Sequence, residues 1–593
     1  MFLDPLASRR RLFTTAFLLS TLSTPGCGGG GGGGDAPAQG TAQKDEVLAA
    51  ADTTGIDSEK LASILNRNSP WGVATSSFLQ RDPASWLPAM AAADIGSVRG
   101  FHDDQVAPII AAGMSPVGFL VWSPGTVQTM PVADLPGWQR YVARQVRRFK
   151  GQVKYWEVWN EPPNFTADPS PVSYGKVVAA AYDAAKAVDP TVQIGLSAKS
   201  NHLNFLAESI AGGAADKFDF ISLHPYEIAT LLPAGWEGAY MGIVPRVRQM
   251  LQVRSPSKAN VPVWFTEIGA SAAPPSAGGM GEPMQADVLT KIYTMAFAQG
   301  VARTYWFDPV DSEGLMMGLV TADGVRRPSW QAMRTLNAYL GERPLYGGWT
   351  QPANAWYGFV FAGMRGVMLS AWTRPGQTAD VALASEVTVV DPRTGNTRNA
   401  RGSVTLTPSP VLLVAPYGSA QSLRWLREGA DSAGKPFPWN GDHSAAASVS
   451  LTAGVEPDGV FIVNPPPVTT VNGVAEYNLA GGIGACFGVD PIFMTYAYAA
   501  RPVRLTVQVR GHGVGTPGFH VLYESDAPIA STDVNNLQEI SDGWYAVEGT
   551  QFREKSWTLP NARFVGQYGY NICLYTTGGD KGALSVRKVT VSR

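Results

Sequence analysis

Lys154-Tyr155-Trp156-Glu157-Val158-Trp159-Asn160-Glu161-Pro162-Pro163 is the stretch that decides the fold. Its first half alternates bulky residues and reads as a buried strand. Pro162 and Pro163 cannot donate ladder hydrogen bonds, so the strand stops before them. Asn160 and Glu161 are therefore expected at its C-terminal tip, one offering an amide, the other a carboxyl group. The aromatic residues nearby can form an apolar wall, which would raise the carboxyl pKa. Glu157 falls on the same side of an alternating strand as Glu161 and is expected one layer deeper.

A second stretch answers the first. Val261-Pro262-Val263-Trp264-Phe265-Thr266-Glu267-Ile268-Gly269 is another apolar run ending in a carboxylate, 267 − 161 = 106 residues further on. That separation is too long for a hairpin. If both strands belong to one parallel barrel, their tips open on the same face. Two carboxylates there can flank one bond, the minimum equipment for glycoside hydrolysis. Taken singly, a Glu at a strand end is more often a solvated charge or an ion-pair partner than a catalytic group.

Working outward, strands are expected at 70–75, 95–99, 116–121, 154–159, 192–197, 218–223, 261–267 and 303–307. Helical segments lie between them, such as 135–150 with apolar residues at 138, 142, 146 and 149 on one face. Eight strand–helix units over roughly 270 residues fit an α/β chain folded as a (β/α)8 TIM barrel, spanning 46–343. After Gly341 short strand-like runs separated by turn residues predict a small β domain over 344–420. Residues 421–593 predict a C-terminal β-sandwich of jelly-roll type. A carbohydrate-binding module and a purely structural sandwich both remain open for it.

Only 16% of the 593 residues are charged and the formal net charge is −2, so no basic stripe exists to bind nucleic acid. Ser8-Arg9-Arg10-Arg11-Leu12-Phe13 and the short apolar run 12–22 read as an export signal resembling a twin-arginine motif. Leu22-Ser23-Thr24-Pro25-Gly26-Cys27 looks like a bacterial lipobox. Residues 1–27 are thus expected to be a lipoprotein signal peptide, with Cys27 lipidated. Cleavage near Ala36-Pro37-Ala38 is the alternative. The glycine run within 28–45 reads as a flexible tether. The expected location is an exported, membrane-anchored lipoprotein on a periplasmic or cell-surface face. Of three cysteines, Cys486 and Cys573 then remain, as a disulfide or as two buried thiols. No Cys/His spacing suggests a metal, and no cofactor or protein partner is implied.

The strand tips gather one set of side chains. Arg99 ends the second strand, with His102 beyond it, and Trp122 ends the third. Asn160 and Glu161 end the fourth, His224 and Tyr226 the sixth, and Glu267 the seventh. Trp306 lies on the eighth. Asp103, Asp104, Glu227 and Asp308 lie near strand ends without a role. The Trp159-Asn160-Glu161-Pro162 string, with His224-Pro225-Tyr226 and Thr266-Glu267, resembles clan A of the glycoside hydrolases. Within it the chain looks most similar to family 39 and to its PslG-type exopolysaccharide glycosidases. That resemblance covers the barrel and the small β domain. It implies a retaining hydrolase with Glu161 as acid/base and Glu267 as nucleophile. Tyr226 would donate to Glu267, Arg99 would add positive charge, and Asn160 would bind the sugar 2-hydroxyl. His102, Trp122, His224 and Trp306 would join them at the mouth; the two Trp are sugar platforms or lids on the barrel core, with the platform favoured for Trp306. Action within an extracellular or biofilm polysaccharide is the first expectation. An exo-acting β-xylosidase-like enzyme and a non-catalytic polysaccharide-binding lipoprotein are the alternatives.

Overall fold

A computed structural model describes residues 58–66, 69–75, 82–121, 130–312 (save 165, 167 and 169), 314–341 and, with short interruptions, 345–593. The expected signal, tether, Cys27 and Trp122 lie outside the described residues. Among the described residues no helix is long and apolar enough to cross a membrane.

Eight parallel strands close into a barrel: β1 (Trp71–Ala74), β2 (Ser97–Arg99), β3 (Ser115–Leu120), β4 (Tyr155–Val158), β5 (Gln193–Lys199), β6 (Phe220–His224), β7 (Val263–Ile268) and β8 (Arg303–Phe307). β8 returns to β1, pairing Thr304 with Trp71. Glu282–Ala298 is buried on all sides from Gln285 to Ala296, whereas Leu135–Arg148 buries one face. In Leu135–Arg148, Asp134 caps the N-terminus by accepting from the Gly137 N–H at 2.8 Å, and Trp138, Val142 and Val146 are buried.

The barrel interior is aromatic. Phe220 stacks on Trp264 with centroids 4.2 Å apart. The Arg303 guanidinium lies over Tyr155 and Trp264, 4.4 and 4.7 Å from their ring centres. Glycines on neighbouring strands make room for these rings. A Cβ on Gly195 would come within 2.5 Å of Phe220, and one on Gly72 within 2.4 Å of Tyr305. The larger core lies between strands and helices.

The small β domain is a six-stranded antiparallel sheet, with Gly366–Thr373 central between Trp356–Gly363 and Val411–Ala415, plus a two-stranded ribbon. The pattern reading missed its strands Leu345–Gly348 and Thr397–Ala400. It also missed the helix Ala420–Ser432, which fell in a region read as β. Ser419 caps that helix by accepting from the Ser422 N–H at 3.1 Å. The helix inserts Trp425 into the core of this sheet. A Cβ on Gly347 would meet the Gly429 carbonyl at 2.1 Å, so helix and sheet touch backbone to backbone.

The C-terminal domain pairs two antiparallel sheets around a separate core. Cys486 and Cys573 face one another on adjacent strands and are disulfide-bonded, with an S–S distance of 2.03 Å.

One segment after β6 meets both added domains. Gly235 approaches Pro375 of the small β domain, and Trp236 stands edge-on to Tyr570 of the sandwich at 6.4 Å. Glu237, fully buried, accepts from Trp372 Nε1 at 3.0 Å and from Lys291 Nζ at 3.1 Å. Nearby, the buried Arg246 donates to the Val489 carbonyl at 2.8 Å, and Asn201 to that of Gly566 at 3.3 Å.

Candidate active site

The tips of β4 and β7 depart from regular strand, and those departures build the site. Beyond Val158 the chain turns through left-handed residues, Trp159 at φ 66° and Glu161 at φ 47°. Such values cost a non-glycine residue about 1–3 kcal/mol each, so surrounding bonds must hold them. The Lys199 N–H donates to the Pro162 carbonyl at 3.1 Å, and Lys199 Nζ to Asn164 Oδ1 at 3.0 Å. Tyr174, from the following helix, donates its hydroxyl to the Val158 carbonyl and accepts from the Ser197 N–H, stapling β4 to β5. The turn sends Trp159 into the outer core and brings both Asn160 and Glu161 to the mouth.

In β7 the same end is reached by a bulge. Phe265 pairs with Thr304 and Ile268 with Trp306, so one extra residue stands on β7. Thr266 and Glu267 consequently both face inward, toward His224 and Arg99 respectively.

Arg99 is the hub. It is 1% exposed. Its Nε donates to Glu157 Oε2 at 2.7 Å, Nη1 to Glu267 Oε2 at 2.8 Å and Nη2 to Asn160 Oδ1 at 2.9 Å. It also lies 4.4 Å from the centre of the Phe119 ring. Because a guanidinium only donates, the Asn160 oxygen must face it, which leaves the amide hydrogens for another partner. The Tyr226 hydroxyl donates to the other oxygen of Glu267 at 2.9 Å. Burial pushes that phenol well above its ordinary pKa, and the charges of Glu267 and Glu161 push it further, so it stays a donor. Both oxygens of Glu267 are thereby fixed.

Glu161, 8% exposed, meets His224 Nδ1 through Oε1 at 2.8 Å. The same Nδ1 lies 3.7 Å from Glu267 Oε2. Burial pushes the Glu161 carboxyl up. The hydrogen bond and charge of His224, helped by Lys199 and Arg99, outweigh burial and hold it below its ordinary range. This corrects the expectation of an apolar wall raising it. Trp156 and Trp159 pack into the outer core, and the groups that face Glu161 are cationic or polar.

Glu161, His224 and Glu267 each present one donor atom within 4.8 Å of the others. A divalent cation there would share Glu267 with a guanidinium already 2.8 Å away. That like-charge contact makes the cluster a poor metal cage and a good proton-handling site.

Other expected residues fall elsewhere. Trp306 points outward: it is 0% exposed, lies in the core between strands and helices, and donates Nε1 to the Met317 carbonyl at 3.0 Å. It offers no face to a sugar. Its neighbours Tyr305 and Phe307 take the interior side by simple alternation. His102 is exposed and spends its backbone N–H on Gln105 Oε1 at 3.1 Å, outside the network of Glu161 and Glu267. Asp103 pairs with Arg148, Glu227 accepts from Ser200 at 2.5 Å, and Asp308 accepts from Ser312. Sequence reading missed Ser222, Thr266 and Lys199. Ser222 could have been found, since it shares the parity of Phe220 and His224 on β6. Thr266 required the bulge.

Neither a protein-family model nor a curated protein matches the sequence. Among solved structures, the chain is similar to a family 39 glycoside hydrolase from the gut symbiont Bacteroides cellulosilyticus WH2, at 18% identity and a TM-score of 0.48. That alignment covers 59% of this chain and 81% of the other. A monomeric beta-xylosidase from Caulobacter crescentus CB15 aligns over 89% of this chain and 97% of its own, at 14% identity and a TM-score of 0.38. A GH30 endoxylanase from Clostridium papyrosolvens C71 aligns over 59% and 96%, at 12% identity and a TM-score of 0.42.

Proposed function

We propose that the chain is a retaining glycoside hydrolase that cuts within a bacterial extracellular or biofilm polysaccharide. The observation that carries this reading is the carboxylate pair at the tips of β4 and β7, with oxygens of Glu161 and Glu267 within 4.8 Å of one another. A double-displacement enzyme needs its carboxyl groups roughly 5–5.5 Å apart, whereas an inverting one needs about 6.5–9.5 Å to seat a water.

In the first step a Glu267 oxygen bonds to the anomeric carbon as the glycosidic C–O bond breaks. The leaving oxygen takes a proton from Glu161. Glu267 suits this role because Arg99 and Tyr226 fix its direction without shielding it from the mouth. In the second step water attacks the same carbon, Glu161 takes its proton, and Glu267 departs as carboxylate. Once Glu267 is an ester its negative charge is gone. His224, Lys199 and Arg99, which hold the Glu161 carboxyl below its ordinary range, keep it ready to accept the proton of that water. The free amide hydrogens of Asn160 are placed to donate to the sugar 2-hydroxyl, a contact that strengthens in the transition state. No cofactor enters this scheme.

The polymeric substrate, and a place on the membrane through lipidated Cys27, are supported by the lipobox-like string and glycine run. The test is product release from a panel of polysaccharides by wild type, Glu161→Gln and Glu267→Gln, with the first-formed anomer read by NMR. Oligosaccharides of several lengths with retained configuration, made only by wild type, support the proposal. Monosaccharide alone points to the exo-acting alternative. Polysaccharide binding without cleavage, equal in all three proteins, overturns it in favour of a binding protein.

A further inference from the structure

Below the carboxylate pair lies a buried chain of hydroxyl groups. Ser222 Oγ donates to Glu157 Oε1 at 2.5 Å, and Glu157 is already paired with Arg99 at 2.7 Å. Ser222 Oγ also touches Thr266 Oγ1. Thr266 Oγ1 meets His224 Nε2 at 3.1 Å, and His224 Nδ1 meets Glu161 Oε1 at 2.8 Å. Ser222, Thr266 and His224 are all buried.

Each hydroxyl has one proton to give, so the direction of the chain follows from its fixed end. Glu157, facing a guanidinium that does not lose its proton, can only accept. Ser222 therefore spends its proton on Glu157 and must accept from Thr266. Thr266 spends its own on Ser222 and must accept from His224. The proton of a neutral His224 thus belongs on Nε2, and Nδ1 faces Glu161 as a lone pair.

We propose that Ser222 and Thr266 are positioning residues that lock His224 in the Nε2–H form, so that a single proton lies between His224 Nδ1 and Glu161. In the locked form, removing that proton sets a carboxylate against the Nδ1 lone pair. Unlocked, the neutral ring could turn its proton to Nδ1 and donate to the Glu161 carboxylate, and the acid proton would be lost at lower pH. The other charged and titratable groups facing the pair are Glu267 from β7 (3.7 Å from Nδ1), Arg99 from β2, Lys199 from β5 and Tyr226 after β6. None of them contacts Nε2, so the tautomer is set through Thr266.

The glycosidase reading enters only through the activity arm of the test. The primary arm is 15N NMR of the imidazole nitrogens in full-length protein at alkaline pH, with His224 assigned by difference from His224→Gln. Wild type is expected to show Nε2–H, Thr266→Val to shift toward Nδ1–H, and Thr266→Ser to restore the wild-type pattern. Ser222→Ala, which removes the acceptor for Thr266, is expected to shift partway and serves if the valine variant does not fold. In the second arm the alkaline limb of kcat/KM moves down by about 1 pH unit in Thr266→Val, the worth of one hydrogen bond to a charged group, and returns in Thr266→Ser. Nδ1–H in wild type, or an unchanged tautomer in Ser222→Ala and Thr266→Val, overturns the lock. Absence of cleavage on every glycoside, with the NMR pattern as expected, overturns the glycosidase reading and leaves the lock standing.

Discussion

The tips of β4 and β8 look alike on paper and behave oppositely in the barrel. Each carries a Trp at the mouth end of an apolar strand. On β8 the alternation stays regular, so Trp306 lies between Tyr305 and Phe307 and points outward into the core. On β4 two left-handed residues break the alternation, and consecutive side chains, Asn160 and Glu161, both reach the site. β7 does the same with an inserted residue. The lesson is that parity predicts direction only while the strand is regular, and the carboxylate pair sits where regularity ends.

The strongest test of that contrast is removal of the carboxylates. Glu161→Gln is expected to lower turnover of a glycoside by about 10²–10⁴-fold, the usual worth of a positioned acid. Glu267→Gln is expected to cost more, because the covalent step is lost altogether. Steady-state kinetics on a substrate with a good leaving group sharpens the distinction, since only the Glu161 variant should be partly rescued. Retained activity in either would show that irregular tips do not mark the chemistry.

Next in size is the hub that holds the irregular tips together. Arg99→Met leaves Glu157 and Glu267 without their common partner and should destabilise the fold by about 3–5 kcal/mol, read from denaturant unfolding. A loss below about 1 kcal/mol would mean that the tips hold themselves.

The sandwich provides a control region outside the network of Glu161 and Glu267, although its disulfide packs against the core shared with the barrel. Its disulfide closes a loop of 87 residues. Cys486→Ala with Cys573→Ala is expected to lower stability by about 2–4 kcal/mol while leaving turnover unchanged. Loss of turnover in the folded double variant would tie the sandwich to catalysis.

The smallest effect belongs to β8. Trp306→Phe removes the bond to the Met317 carbonyl and should cost about 0.5–1.5 kcal/mol in stability, with KM unchanged. A large rise in KM would return Trp306 to the mouth.

Much of this was legible in the chain. Strand positions followed from apolar runs bounded by proline and glycine, and Glu161 and Glu267 from their places at the ends of two such runs. Trp306 was misread because its strand end was taken for a mouth position without counting parity. Thr266 was overlooked because a bulge is a matter of pairing with β8, which no local pattern records. The helix Ala420–Ser432 escaped because its mixed polar and apolar residues lie among turn-rich strands, and its stability comes from Trp425 packing on the sheet. The Glu161 environment was misjudged because Trp159 is adjacent in sequence and turned away in space.

The junction at Gly235-Trp236-Glu237-Gly238 bears on the protein's history as well as its architecture. An exchange of the C-terminal modules for foreign ones, by gene fusion or recombination, would leave Glu237 buried without Trp372 and Trp236 without Tyr570. Such a hybrid would keep Lys291 at 3.1 Å from Glu237 but lose its indole donor and leave Trp236 without its packing partner. The barrel and its two companions are therefore expected to be inherited as a block.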